Sequence, residues 1–197
     1  DAWIVVLRIL ERPDASAIEA LFCARLLHDL LRRCVSKTEK TQASHAAFTE
    51  HEWSKLRERL FALTKRYAAA SGDSLDARGT VTQLVLCVAA LSCKMPSWNA
   101  ESVVQDVIEA FASDASVSNE AKVLCLCSFL AVIPQEAQSR ELSIHPMRRE
   151  QVIDGMKNTA SAVMDLLQQL VTAAGSDSMI QKHVLDALEA WADLADV

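Results

Sequence analysis

Histidine and cysteine are the side chains in this sequence with the greatest potential for chemistry, and their spacing predicts no catalytic or metal site. His51-Glu52 begins like the zinc-protease motif H-E-x-x-H, but Lys55 stands where the second histidine is required. His45 and His51 are too far apart in register to share one face of a helix. We interpret these histidines as solvated helix residues.

The six cysteines, at positions 23, 34, 87, 93, 125 and 127, lie within or at the end of apolar helical patterns. No C-x-x-C pair occurs, and Cys125 and Cys127 would lie about 200° apart around a helix, so they cannot share a metal. Free cysteine packs as a small buried hydrophobe. We expect reduced thiols in the core of an intracellular protein, without metal or cofactor. The sequence therefore favours a binding protein, with an all-helical enzyme as an alternative.

Glycine and proline are scarce, with four of each among 197 residues. Sheet-rich sandwiches and barrels need more turn residues than this, and the glycines are too scattered for a phosphate-binding loop. A net charge of −6 argues against a nucleic-acid partner. The longest apolar run, residues 84–91, is too short to cross a membrane. The remaining possibility is a mostly helical protein. Because the sequence starts at Asp1 and not at Met, we expect it to be a piece of a longer protein.

Apolar periodicity and helix-ending residues predict eight helices. They are expected at about 1–12, 14–34, 45–70, 75–95, 98–112, 119–133, 147–174 and 177–195, with a polar linker at 36–44. Pro134 is expected to end the sixth helix, so that a loop runs from Pro134 to Pro146.

These helices group into antiparallel pairs over about 1–34, 45–95, 98–133 and 147–195. Pairs of helices that recur every 40 to 47 residues, roughly, are typical of HEAT and armadillo repeats. The prediction is an all-α, right-handed HEAT-repeat solenoid that forms a single array over residues 1–197, with a compact bundle as the rival arrangement. The fourth and sixth helices are apolar nearly all round, which favours stacking between neighbours on both sides.

A polar stripe on the second helix is the first candidate for a partner contact. Arg25, Asp29 and Arg32 recur at i, i+4 and i+7, a spacing that allows ion pairs within the helix. The stripe is either a solvated face or the contact surface of a solenoid's inner wall. The eighth helix is acidic and the third is basic on balance, which suits a surface that meets partners of different charge.

Three stretches go beyond a generic helical repeat: Thr82-Gln83-Leu84 followed by Met95-Pro96-Ser97-Trp98, the segment from Ile133-Pro134-Gln135-Glu136 to Arg148-Arg149, and Trp191 in the last helix. In this order they resemble the N-terminal HEAT-repeat region of the importin-β superfamily of nuclear transport receptors. The resemblance is to the transportin-3 (transportin-SR) branch, with the importin 13 branch as the close alternative.

The resemblance implies a karyopherin that shuttles between cytoplasm and nucleus. Its partners would be the GTPase Ran in its GTP form, Ser/Arg-rich protein cargo bound mainly outside this chain, and nucleoporin Phe-Gly repeats, with no nucleic acid and no membrane. A HEAT-repeat scaffold from another assembly is the alternative function. The candidate Ran or partner contacts are Arg25, Asp29, Arg32, Thr82 and Gln83. The family's long loop is matched by Arg140, Arg148 and Arg149. These arginines either hold the loop in place or contact a partner. A structural role is expected for Pro96, Trp98 and Trp191.

Overall fold

A computed structural model of the chain describes residues 2–34, 48–70, 75–112, 117–175 and 177–195. Within these ranges the chain forms eight α-helices and no strand. The helices are α1 (Ala2–Glu11), α2 (Ala17–Arg33), α3 (Glu50–Ala70), α4 (Leu75–Lys94), α5 (Ala100–Ala112), α6 (Asn119–Gln138), α7 (Pro146–Ala174) and α8 (Ser178–Ala195). The all-α prediction is confirmed, and the predicted linker at 36–44 lies outside the described residues.

Local capping explains where several of these helices begin and end. Ser16 accepts a hydrogen bond from the backbone N–H of Glu19, whose carboxylate accepts one from the N–H of Ser16 in return, so a capping box starts α2. Ser118 caps α6 through the N–H of Ala121. Gly175 ends α7 with a positive φ of 57°, a backbone conformation that glycine adopts more readily than other residues.

The eight helices pack in two layers. The even-numbered helices form an inner layer in which α2 packs on α4, α4 on α6 and α6 on α8. The odd-numbered helices form an outer layer, where α5 packs against α7 as well as against α6. In this outer layer Phe61 of α3 meets Phe111 of α5 edge to face, and Arg59 of α3 pairs with Glu11 of α1. Consecutive helix pairs thus stack as a HEAT-type solenoid does.

The two helices that are apolar nearly all round, α4 and α6, each lie between two neighbours of the inner layer. On α4 the run from Cys87 to Lys94 is buried, because α2 and α6 flank it within its layer while α3, α5 and α7 contact it from the other layer. The core also includes Trp53, Trp98 and Trp191, each no more than 1% exposed. No helix among the described residues has both the length and the apolar character needed to cross a bilayer.

The prediction that Pro134 ends the sixth helix is wrong. Helix α6 continues through Pro134 to Gln138, so the loop before α7 covers only residues 139–145. A proline inside a helix cannot donate to the carbonyl four residues earlier, which here belongs to Leu130. The indole Nε1 of Trp191 on α8 donates to that carbonyl at 2.8 Å instead. A donor from the next helix of the inner layer thus replaces the missing backbone bond.

Candidate partner-binding surface

The side of the inner layer that faces away from the outer layer, called the inner face below, is the surface that can meet a large partner. Every inner helix buries its apolar sides against neighbours and leaves one stripe accessible. Accessible residues include Thr82 and Gln83 on α4, Ser128, Val132 and Gln135 on α6, and Lys182, Asp186, Glu189 and Asp193 on α8.

All five predicted partner contacts keep some accessible surface. Arg25 and Thr82 are exposed, and Asp29, Arg32 and Gln83 are half-buried. The accessible side of α2 also carries Phe22, which is 65% exposed. The five residues remain predicted contacts, and their accessibility meets the first requirement for that role.

Arg32 differs from the other predicted contacts because the fold already engages it. Neither Arg25–Asp29 nor Asp29–Arg32 is an ion pair within the described ranges. Instead Arg32 reaches α6, where its Nη2 and Nε donate to Glu136 at 2.5 and 3.2 Å, and its Nη1 donates to Glu141 in the following loop. The sequence could not reveal these partners, since they lie more than a hundred positions away.

Glu136 is the centre of a buried charge cluster that joins α2 to α6. Its side chain is 2% exposed, and Oε1 also accepts a hydrogen bond from Nε2 of the buried His28 at 3.1 Å. Burial by itself raises the pKa of Glu136, but the hydrogen bonds and charges of His28 and Arg32 together lower it by more. Glu136 is therefore an ionised carboxylate that ties together two helices separated by α4.

The two arginines that follow the loop 139–145 act on backbone carbonyls. Arg148 donates to four of them, those of Ser92, Cys93, Met95 and Trp98, at 2.8–3.3 Å. Arg149 donates to the carbonyl of Leu142 at 2.8 Å and to that of Ala137.

Lys94 also donates to backbone carbonyls, at the C-terminal end of α2. Its Nζ donates to the carbonyl of Arg32 at 3.1 Å and to that of Cys34, and to the carbonyl of Ser143 in the loop at 2.6 Å. Together with Arg148 and Arg149 it satisfies carbonyls at the C-terminal ends of α2, α4 and α6. Those ends carry the negative end of the helix dipole, so the cations stabilise them electrostatically as well. Arg149 thus bonds the loop at Leu142, whereas Arg148 bonds α4 and the segment after it, and the roles predicted for both residues stay predictions. Arg140 is exposed, and no hydrogen bond joins it to a residue that the structure describes.

Replacing Arg148 with methionine is expected to lower the free energy of unfolding by about 1.5–3 kcal/mol, the range for hydrogen bonds to charged groups. Methionine keeps an unbranched stem but leaves buried carbonyls of α4 without their donor. Denaturant unfolding followed by circular dichroism measures the change. Arg140→Met is the matched control, with an expected effect within about 0.5 kcal/mol. Equal losses in both variants would contradict a structural role for Arg148.

Glu52, from the His51-Glu52 pair that resembles the start of a zinc-protease motif, has a structural role. Thr49 accepts from the N–H of Glu52 at 3.3 Å and donates from its own N–H to the Glu52 carboxylate at 2.6 Å, so Glu52 belongs to the cap of α3. His51 is exposed, and His45 lies outside the described residues. No group of three His, Cys, Asp or Glu in the described ranges could hold a metal ion.

All six cysteines are free and buried, as predicted. Burial raises the pKa of Cys93 and Cys125 to about 12 and that of Cys127 to about 11. These thiols are therefore protonated at neutral pH and act as core side chains.

Comparison with known proteins places these features in a family context. Residues 78–197 match the model of a family described as exportin 1-like protein. Importin-13 of Homo sapiens is 27% identical over 194 residues, which are 98% of this chain and 18% of that protein. Importin-13 of Gallus gallus is 27% identical over 158 residues, 80% of this chain and 16% of that protein. The chain thus spans less than a fifth of the length of these relatives.

Proposed function

This chain belongs to the exportin 1-like family, within the importin-β superfamily of karyopherins, and on that premise we propose that it is part of a nuclear transport receptor that binds Ran in its GTP form. The relatives reported above carry the name of the importin 13 branch, which was the alternative in the sequence interpretation. The family match carries the proposal. It covers α5, α6, α7 and α8 entirely and α4 from Arg78 onwards, and so includes much of the inner face.

The inner face supports a protein partner of some size. It joins residues from four helices into one surface, with Arg25 and Asp29 at one end and the acidic side of α8 at the other. A receptor of this kind releases or captures cargo according to the nucleotide on its GTPase, and carries that cargo between cytoplasm and nucleus. Ser/Arg-rich cargo is proposed to bind mainly through helices outside this chain.

Nucleoporin Phe-Gly repeats are the third proposed class of partner. Between the outer helices α5 and α7 lies a cavity of about 470 Å³, lined in part by Val104, Ile108 and Leu166. A groove of this size with an apolar lining suits a single phenylalanine side chain. The proposal assigns Phe-Gly repeats to the outer layer and Ran to the inner face.

Titration of the protein with Ran loaded with GTP or with GDP tests the main proposal. We expect binding to the GTP form to be at least about tenfold tighter, or about 1.4 kcal/mol, because GTPase switch segments are ordered only around the γ-phosphate. Calorimetry or fluorescence anisotropy gives both dissociation constants. Equal affinity for the two forms would overturn the proposal and favour a HEAT-repeat scaffold from another assembly.

The variant pair for this titration is Arg25→Ala on α2 and Lys157→Ala on α7. Both side chains are exposed, and each substitution removes one positive charge. A partner seated on the inner face should lose affinity only with Arg25→Ala.

A further inference from the structure

The C-terminal ends of the inner helices α2, α4 and α6 lie side by side at one edge of the inner layer, which we call the cationic edge. It comprises residues 30–34, 91–98 and 136–149. Lys94 joins the three ends, because its Nζ donates to the carbonyls of Arg32 and Cys34 at the end of α2 and to that of Ser143 after α6. The backbone N–H of Ser143 also donates to the carbonyl of Arg32 at 2.9 Å. The cationic edge is therefore one continuous surface built from three helix ends.

Positive charge is concentrated at the cationic edge, although the chain as a whole carries −6. Its three segments contain five arginines, one lysine and two glutamates, which gives a local charge of +4. Including Asp29 and Glu150, which lie just outside these segments, still leaves +2. The three helix ends offset this charge only in part, with about half a negative charge each. An acidic protein thus has one edge that attracts anions.

The fold neutralises little of this positive charge with carboxylates. Three of the six cations donate to backbone carbonyls, which carry no net charge, and only Arg32 pairs with glutamates. Arg33 and Arg140 are exposed, and neither forms a hydrogen bond or ion pair with any residue that the structure describes. They lie close together on the surface, because Arg33 follows Arg32 and Arg140 precedes Glu141, and Arg32 and Glu141 are paired. Two neighbouring guanidinium groups are thus accessible to an anionic partner.

The loop that carries Arg140 is held in place by contacts on the residues that follow it. Leu142 is 1% exposed, and its carbonyl accepts from Arg149 at 2.8 Å. Both backbone groups of Ser143 are bonded, the N–H to Arg32 and the carbonyl to Lys94. A loop that is already fixed loses little conformational entropy when a partner binds. Arg140 therefore belongs to a preformed surface.

The exposed side chains of the cationic edge select the chemistry of that partner. The planar guanidinium groups of Arg33 and Arg140 match the geometry of carboxylates, which they can bind through two parallel hydrogen bonds. Met147, in the first turn of α7 after the loop, is 63% exposed and offers an apolar contact beside them. A nucleic acid or an anionic membrane meets a wide surface, and the net charge of −6 repels such extended polyanions. These features favour a short acidic protein segment that also carries an apolar side chain.

We propose that the cationic edge binds a short acidic segment of a partner protein, with aspartate or glutamate carboxylates on Arg33 and Arg140 and an apolar side chain on Met147. This goes beyond the proposed function, which assigns Ran to the inner face and Phe-Gly repeats to the outer layer. A peptide without any nucleotide tests the cationic edge, so its result is independent of the Ran titration and each proposal can fail while the other stands.

The probe is a fluorescein-labelled 12-residue peptide of aspartate and serine with one central leucine, titrated against the protein by anisotropy at about 50 mM salt, where screening is weak. Arg33→Gln/Arg140→Gln is expected to weaken binding about tenfold, because it removes both carboxylate contacts. The matched control, Lys157→Gln/Lys182→Gln, removes the same charge at exposed positions of α7 and α8 and is expected to change binding less than about twofold.

A second pair of variants tests the apolar contact without altering charge. Met147→Ser and Leu185→Ser each remove one exposed apolar side chain, Leu185 being 60% exposed on α8. Only Met147→Ser is expected to weaken the peptide, by about threefold, and the effect should vanish when serine replaces the leucine of the peptide. Circular dichroism should be unchanged in all variants, since every substituted side chain is exposed.

Four results would each overturn the proposal for the cationic edge. They are no saturable binding of the peptide to the wild type, equal losses in the two double variants, equal losses in the two serine variants, and tighter binding of a single-stranded oligonucleotide of the same length and charge.

Discussion

Replacing Glu136 with alanine is expected to lower the free energy of unfolding by about 3–5 kcal/mol, because it removes the carboxylate of a buried ion pair, which leaves His28 without its partner and Arg32 with only the exposed Glu141. His28 is buried with Glu136, and the Arg32 side chain is only 22% exposed. Denaturant unfolding measures the loss. The effect should be global, since the cluster connects α2 to α6 across the intervening helix.

Glu141→Ala is the matched control for this prediction. Glu141 binds the same arginine with the same charge, but its side chain is 76% exposed. Exposed ion pairs contribute about 0–1 kcal/mol, so this variant should remain close to the wild type. If Glu136→Ala and Glu141→Ala lower the free energy of unfolding by similar amounts, burial of the carboxylate does not determine how much the ion pair contributes to stability.

The pH dependence of stability follows from the lowered pKa of Glu136. A carboxylate whose pKa falls on folding stabilises the native state fully above its usual pKa of 4.5, and this contribution is lost as the pH falls through the lowered value. Glutamine at this position cannot titrate. The stability difference between the wild type and Glu136→Gln should therefore be largest near neutral pH and should narrow below pH 4.5. A difference that stays constant or widens in acid would contradict an ionised Glu136.

The sequence predicts the elements of this fold well where the signals are local. Ser16, Gly175 and Pro146 mark helix ends by backbone chemistry that depends on a few neighbouring residues. Apolar periodicity likewise predicts that α4 is a helix stacked between neighbours on both sides. Such features need no knowledge of the rest of the chain.

The sequence-based predictions fail where a residue far away in the sequence forms the contact that decides the local structure. Arg32 has the spacing of a helix-surface ion pair with Asp29, yet a buried carboxylate on α6 outweighs that exposed alternative. The segment from Pro134 to Arg149 carries the family resemblance, and its pattern has a structural cause. Glu136, Arg148 and Arg149 each satisfy buried polar groups of other elements, a requirement that helix periodicity does not express.

Pro134 is the clearest case, and it leads to the second prediction, for Trp191. Replacing Trp191 with alanine is expected to lower the free energy of unfolding by about 3–5 kcal/mol, the range for a fully buried aromatic side chain. Trp191→Phe keeps most of the volume but removes the N–H that bonds the carbonyl of Leu130. That variant should lose about 1–3 kcal/mol, the cost of a buried acceptor without a partner. Denaturant unfolding of both variants gives the two numbers.

A double-mutant cycle with Pro134→Ala separates the hydrogen bond from packing. Alanine at 134 restores a backbone N–H that can donate to the carbonyl of Leu130, so Trp191→Phe should cost less in this background than in the wild type. Trp98→Phe is the control, because the Trp98 indole donates to the carboxylate of Asp106 at 2.6 Å and not to a helix carbonyl. Its cost should be the same with either residue at 134. If Pro134→Ala leaves the cost of Trp191→Phe unchanged, the indole does not substitute for the backbone donor, and the continuation of α6 past its proline requires another cause.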